Sequence, residues 1–141
     1  MMPAVKDLMT KKVLTIDTQK TVFEAAQLMG QKEVGDVIVL DTEMPIGIVT
    51  ERDIVRRVVA KTKPGTTKVS EVMSTPLITI SPDASVKEAA RMMVKYRIRR
   101  LPVLKEHKLV GILVVSDFAR HLGKKSLTES ILEAIWRYPV A

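Results

Sequence analysis

The chain has no cysteine among its 141 residues, so it can hold no disulfide framework, no thiolate metal site and no thiol nucleophile. Its two histidines, His107 and His121, are too few and too far apart in sequence to suggest zinc. Aromatic residues make up 4% against 46% hydrophobic overall, which points to an aliphatic core of mixed α/β type. No stretch approaches the roughly 18–20 uncharged apolar residues of a membrane span, and Lys6 and Asp7 stand where a secretory signal would be apolar; a cytoplasmic location is expected. There is no Gly-x-Gly-x-x-Gly and no Walker-type loop. No histidine recurs, and no serine, histidine and acid grouping is placed by motif, so an enzyme is not expected.

What the chain does have is an internal repeat. Val5, Met9, Thr15, Ile16, Val22, Glu24, Ala25, Ala26, Met29, Val39, Leu40, Gly47, Ile48, Asp53 and Arg56 return, without a gap, as Val69, Met73, Thr79, Ile80, Val86, Glu88, Ala89, Ala90, Met93, Val103, Leu104, Gly111, Ile112, Asp117 and Arg120. The offset is 64 residues throughout, longer than the roughly 20–50 residue period of solenoid arrays, so this is a duplicated motif. Each copy is short for a generous core of its own, and the simplest packing sets the copies together about a pseudo-twofold axis.

Each copy reads β-α-β-β-α, giving an α/β (α+β) fold of two such repeats plus a C-terminal helix. Val13-Leu14-Thr15-Ile16 is a short extended segment; Thr21 with Glu24, and Ser85 with Glu88, have capping-box spacing and predict a helix start in each copy. Val22, Ala25, Ala26 and Met29, with their counterparts, form a packing face in which small alanines allow close approach to a sheet. The apolar run Val37–Leu40, the polar turn Asp41-Thr42-Glu43 and Ile46–Val49 predict a hairpin, as do Leu101–Leu104, Lys105-Glu106-His107 and Val110–Leu113. Second helices are predicted from about Glu51 to Val59 and from about Val115 to Leu122. Pro64-Gly65 marks the linker, so the motifs run 1–63 and 64–122, with a tail from 123 to 141. In the tail Ser126 and Glu129 can cap a further helix whose Leu127, Ile131, Leu132, Ile135 and Trp136 form an apolar face, suited to folding back over the domain or to a dimer interface.

The most specific feature lies where the second hairpin strand meets the following helix. Gly47-Ile48-Val49-Thr50-Glu51-Arg52-Asp53 places an aspartate six residues after a glycine, and Gly111 to Asp117 does so again. One explanation is structural: Thr50 and Asp53 have capping-box spacing, and an acid in a first helical turn favours the macrodipole. In the second copy Val114 replaces the hydroxyl while Asp117 stays, so reciprocal capping is not expected to be what the two aspartates share. The other explanation is chemical: such an aspartate can accept hydrogen bonds from a ribose diol, while helix amides and a Ser or Thr hydroxyl meet phosphate oxygens.

On these residues both copies resemble the cystathionine β-synthase (CBS) motif, and the tandem resembles a CBS pair, or Bateman module, over roughly residues 5–122. The resemblance implies a regulatory sensor that requires no cofactor and binds AMP, ADP, ATP or S-adenosylmethionine as a regulatory ligand in clefts between the repeats. It implies that Asp53 and Asp117 hold ribose, with Thr50 and Ser116 as hydroxyl partners. Thr15-Ile16 and Thr79-Ile80 would line the base, with Pro102 among the ligand-contacting residues, and Arg99-Arg100 would match the family's phosphate-contacting basic pair. The first copy has Gly35-Asp36 in that place, and the second has Val114 for Thr50, so the two clefts are expected to be unequal. A homodimer and an unknown regulated protein are the expected partners.

The formal net charge of +7 attracts polyanions and keeps an alternative open: a basic structural or nucleic-acid-associated protein with vestigial clefts, whose run from Lys95 to Arg100 meets phosphate backbones. Tyr96 is the only aromatic in that run, which argues against single-strand binding. Solvated surface charge is the plainer reading of Arg99 and Arg100, and β-propensity that of Thr15 and Thr79.

Overall fold

The computed structural model describes residues 3–122; the helix and apolar face expected within 123–141 lie outside the described residues. In chain order the elements are α1 (Val5–Leu8), β1 (Thr15–Asp17), α2 (Val22–Lys32), β2 (Asp36–Asp41), β3 (Met44–Thr50), α3 (Glu51–Asp53) running into a π-helix (Ile54–Val59), a 3₁₀ turn (Val69–Glu71), α4 (Val86–Tyr96), β4 (Arg100–Lys105), β5 (Lys108–Val114) and α5 (Val115–Leu122). The fold is mixed α+β with two small sheets.

The chain divides into two units that do not coincide with the two sequence copies. One, the first-repeat unit, is residues 13–77; the other, the second-repeat unit, joins residues 3–12 to 78–122. The N-terminal segment therefore packs with the second copy. Val5 and Leu8 of α1 are buried in one cluster with Val86, Ala89, Met93, Leu101, Val103, Leu113 and Phe118. By the same rule the start of the second copy packs with the first: Val69 lies with Ile16, Ala25, Met29, Val37, Val39 and Val49, and Val72 with Val22 and Val58.

In the first-repeat unit β1 pairs parallel with β2 and β2 antiparallel with β3, and Ser74 adds a bridge to Ile48 on the far side of β3. In the second-repeat unit β4 and β5 form the matching hairpin and Thr10 bridges Ile112, but the strand expected around Thr79-Ile80 shrinks to one parallel bridge between Ile80 and Val103. Both hairpins close through two-residue turns in which each residue has positive φ: 49° and 68° at Thr42 and Glu43, 51° and 68° at Glu106 and His107. Two-residue hairpins favour that geometry because it matches the strand twist, and here it is reached without glycine. The register shift between Val39 and Leu40 recurs between Val103 and Leu104.

Two sequence expectations need correction. The N-cap hydroxyls of α2 and α4 do accept from the third helical residue, Thr21 from the Glu24 amide at 3.2 Å and Ser85 from the Glu88 amide at 3.0 Å. The reciprocal glutamate half is not what forms at Thr21: Glu24 lies 3.9 Å from Lys20 instead, an exposed i,i+4 pair. The helix expected over 51–59 is α for one turn and then π, with the Ala60 amide donating to the Val55 carbonyl at 2.8 Å.

Candidate functional site

In each unit the open end of the hairpin brings two stretches of chain together. Asp36 at the start of β2 faces Thr50 at the end of β3, and the Glu51 amide donates to the Gly35 carbonyl at 3.0 Å. Arg100 faces Val114 in the same register, and the Val115 amide donates to the Arg99 carbonyl at 3.0 Å. Residues 35–36 and 50–53 thus share one place in the fold, and residues 99–100 and 114–117 share its counterpart.

The aspartates at these junctions are almost wholly buried, Asp53 1% and Asp117 0% exposed. Burial of a carboxylate is tolerated only when its oxygens are partnered. Asp53 Oδ2 accepts from the Thr50 amide at 2.9 Å and the Thr50 hydroxyl at 3.1 Å, while the Asp53 amide donates to Thr50 Oγ1 at 3.2 Å, completing the capping box. Its Oδ1 accepts from the Ser74 hydroxyl at 3.1 Å and lies 3.7 Å from Arg57 Nε. Arg57 in turn donates through Nη1 to the carbonyls of Val72 and Met73, at 3.0 and 3.1 Å. Asp53 therefore also ties down the segment around Ser74.

Asp117 makes a smaller set of contacts. Its Oδ2 accepts from the Val114 amide at 2.8 Å, and its Oδ1 meets Arg120 Nη1 at 3.2 Å. Reciprocal capping is thus not what the two aspartates share, as expected, but one half of it is. The hydroxyl half of the box is lost with Val114, but the carboxylate half, reaching back to an amide three residues earlier, needs no particular side chain at position 114 and persists in both copies.

A carboxylate can accept about four hydrogen bonds. Asp53 has most of that capacity engaged, whereas Asp117 keeps more of it, and its Arg120 partner is 61% exposed and able to swing aside. With both carboxylates buried, an outside hydroxyl donor reaches either one only where a partner moves, such as the Ser74 hydroxyl in one case and the Arg120 guanidinium in the other. The second exchange disturbs less of the fold.

The remaining expected residues fall as follows. Thr15 and Ile16 lie on β1 opposite Ile38 and Val39; Ile16 is in the core and also lines a groove of about 300 Å³ with Lys20, Glu24, Gln27, Leu28 and Gln31. Ile80 donates its amide to Pro102 at 3.1 Å and accepts from the Leu104 amide at 3.0 Å, so its own backbone groups are engaged by β4, and Pro102 is buried within that strand. Thr79 is partly exposed, and Ser116 and Arg99 are exposed. Within their own units, then, Thr50 and Asp53 are brought into direct contact, and Arg99 and Arg100 are brought to the same hairpin end as Ser116 and Asp117.

Sequence reasoning missed Ser74 and Arg57 as partners of Asp53. Ser74 had a legible signal: it follows the repeated Met73 as Thr10 follows Met9, a hydroxyl kept at the same offset of 64. Arg57 had none, since His121 stands at its counterpart. Among the described residues no group of His, Cys, Asp or Glu could hold a metal ion, and no helix is long and apolar enough to cross a membrane.

Comparison with known proteins gives the same duplication. The sequence pattern of the family described as "CBS domain" matches residues 5–60 and again 69–124. The chain is 42% identical over 118 residues to the CBS domain-containing protein YhcV of Bacillus subtilis, the match covering 84% of each protein. It resembles the crystal structure of the CBS domain pair of protein MJ0100 in complex with 5′-methylthioadenosine and S-adenosyl-L-methionine, with a TM-score of 0.79 and 28% identity over 89% of this chain and all of that one. It also resembles a hexameric CBS-CP12 protein from bloom-forming cyanobacteria, with a TM-score of 0.78 and 37% identity over 92% of this chain and 75% of that one.

Proposed function

Since the chain belongs to the CBS domain family, we propose that it is a regulatory module whose duplicated strand-to-helix junctions bind adenine nucleotides, with AMP, ADP, ATP or S-adenosylmethionine as the regulatory ligand and no cofactor required. The observation that carries this reading is the pair of buried aspartates, Asp53 and Asp117, held at the same offset and the same hairpin end. Capping alone would be served by an exposed acid on the helix surface. A buried carboxylate beside displaceable partners is a preset acceptor for a diol.

The adenosyl compounds held by the MJ0100 domain pair support the choice of ligand. In this reading Asp53 and Asp117 accept from ribose hydroxyls, Thr50 and Ser116 contribute hydroxyls, and Arg99 and Arg100 meet phosphate oxygens. Thr15, Ile16, Thr79, Ile80 and Pro102 border the base; with the Ile80 amide and carbonyl already bonded to β4, base-edge bonds in that copy fall to Thr79. The output is a change in contact with a regulated protein, from a homodimer in the cytoplasm, rather than catalysis. Assembly of relatives, as in the hexameric CBS-CP12 protein, supports an oligomer.

The test is thermal. A ligand at about 100 times its Kd adds roughly 2.7 kcal/mol of stability, and at about 2–4 °C per kcal/mol the melting temperature should rise by roughly 5–10 °C. A flat melting temperature across millimolar AMP, ADP, ATP and S-adenosylmethionine overturns the reading.

A further inference from the structure

The two hairpin ends are built alike and charged oppositely. Position by position at the 64-residue offset, Gly35 becomes Arg99, Asp36 becomes Arg100, Glu51 becomes Val115 and Arg52 becomes Ser116. The backbone bonds that gather these residues are the same in both units, 3.0 Å from the Glu51 amide to the Gly35 carbonyl and 3.0 Å from the Val115 amide to the Arg99 carbonyl. Each buried aspartate has its own arginine, Arg57 at 3.7 Å from Asp53 and Arg120 at 3.2 Å from Asp117, so the aspartates do not account for the difference. What remains is one net negative charge at the first junction and two positive charges at the second. Asp36, Arg52 and Arg100 all engage other groups of the protein, so a ligand meets the summed charge of each junction rather than an isolated side chain.

Two further observations give the reversal reach. A β-carbon placed on Gly35 would lie 3.3 Å from the Glu51 carboxyl carbon, so that carboxylate sits against the spot where the other copy carries Arg99. Beyond the junction the whole units differ in the same sense: residues 13–77 carry eight Lys and Arg against nine Asp and Glu, while residues 3–12 and 78–122 carry twelve against five. The net positive charge of the described residues therefore lies in the second-repeat unit, while the first-repeat unit is net negative. A local charge set and the field of its unit act together on an approaching ion, within a screening length of about 8 Å at physiological salt.

We infer that the two junctions select ligands of opposite charge: the Arg99-Arg100 junction takes the polyphosphate nucleotides, and the Gly35-Asp36-Glu51 junction takes adenosyl compounds that are uncharged or cationic, such as those bearing a sulfonium. This rests on the proposed nucleotide function and adds ligand class to it. Phosphate oxygens gain charge-assisted bonds from the arginine pair. At the other junction phosphates meet a net negative charge that repels them, and the same charge attracts a sulfonium.

The experiment is a site-resolved titration. Amide resonances of residues 50–53 and 114–117 are followed by NMR in the full chain as ATP, adenosine and S-adenosylmethionine are added separately, with wild type compared to Arg99→Gly alone and to Arg99→Gly with Arg100→Asp. The expected result is that ATP moves the 114–117 resonances at concentrations at least about tenfold below those that move 50–53, and that S-adenosylmethionine reverses this order. Arg99→Gly, at an exposed position, should weaken ATP at 114–117 by about 10-fold, and the double change should remove the preference for ATP there. Raising salt should weaken ATP at 114–117 and leave adenosine unaffected. ATP perturbing both junctions at one concentration, or keeping its affinity in the variants, overturns the inference while leaving nucleotide binding intact. No response to any of the three ligands overturns the nucleotide function itself.

Discussion

Replacing Asp53 by alanine should cost more than any surface capping residue does, and more than Asp117→Ala. The carboxylate accepts three hydrogen bonds, from the Thr50 amide, the Thr50 hydroxyl and the Ser74 hydroxyl, in a site that is 1% exposed. A bond to a charged acceptor is worth about 1.5–3 kcal/mol and an unsatisfied buried donor costs about 1–3 kcal/mol. The two hydroxyls can rotate to other acceptors, but the Thr50 amide cannot. Arg57, 3.7 Å away and partly exposed, is screened and adds little. The expected loss is therefore about 2–3 kcal/mol, or roughly 4–12 °C in melting temperature at about 2–4 °C per kcal/mol. Asp117→Ala removes one amide bond and a pairing to an arginine that is 61% exposed, so about 1–2 kcal/mol is expected. Urea melts monitored by circular dichroism, with the slope m unchanged, measure both. A loss below about 0.5 kcal/mol for Asp53→Ala, or a larger loss for Asp117→Ala, would mean that burial and partner count do not set the cost.

Other perturbations follow from the packing. Gly47→Ala and Gly111→Ala should each destabilise by about 1–3 kcal/mol in the same melts, because the new methyl would lie 3.1 Å from the Ser74 carbonyl oxygen and 3.0 Å from that of Thr10, and would also crowd Met73 and Met9. Gly30→Ala should do the reverse, adding about 0.5–1 kcal/mol, since nothing lies within 4 Å of its would-be β-carbon on α2; a loss there would contradict the helix-interior assignment. Phe118→Ala should cost about 3–5 kcal/mol, as the largest fully buried side chain of the second-repeat core. Native mass spectrometry should show a mass above the monomer, and a monomer at every concentration would exclude the proposed homodimer.

The hairpins and the helices before them were legible in sequence because their signals are local: an apolar run, a polar turn, a hydroxyl cap. The exchange of segments was not. Met9 packs on Gly111 and Met73 on Gly47, each with the copy it does not precede at close range, and a repeat read along the chain gives no sign of which copy a segment will join. Likewise Thr79-Ile80 has the β-propensity of Thr15-Ile16 but keeps a single bridge. At the site, the spacing of Thr50 and Asp53 gave the capping box. The shared back-bond of Asp53 and Asp117 was missed because it uses a backbone donor, which every residue at that position supplies. Nor does any local pattern announce that a carboxylate will be buried; that depends on Ser74, some twenty residues away, bridging to Ile48. The π-turn after Asp53 has no sequence signature either.

In the proposed function the buried aspartates serve a ligand as well as a helix. Calorimetric titration of AMP, ADP, ATP and S-adenosylmethionine into the wild-type chain, Asp53→Ala and Asp117→Ala, at a temperature where all three are folded, separates the two roles. Saturable binding to wild type is expected, with losses of about 10–150-fold in Kd at the altered junction, matching about 1.5–3 kcal/mol of hydrogen bonding to a charged group. Absence of binding to wild type, or affinity unchanged in both variants while their stability falls, would contradict it and leave Asp53 and Asp117 as helix caps alone.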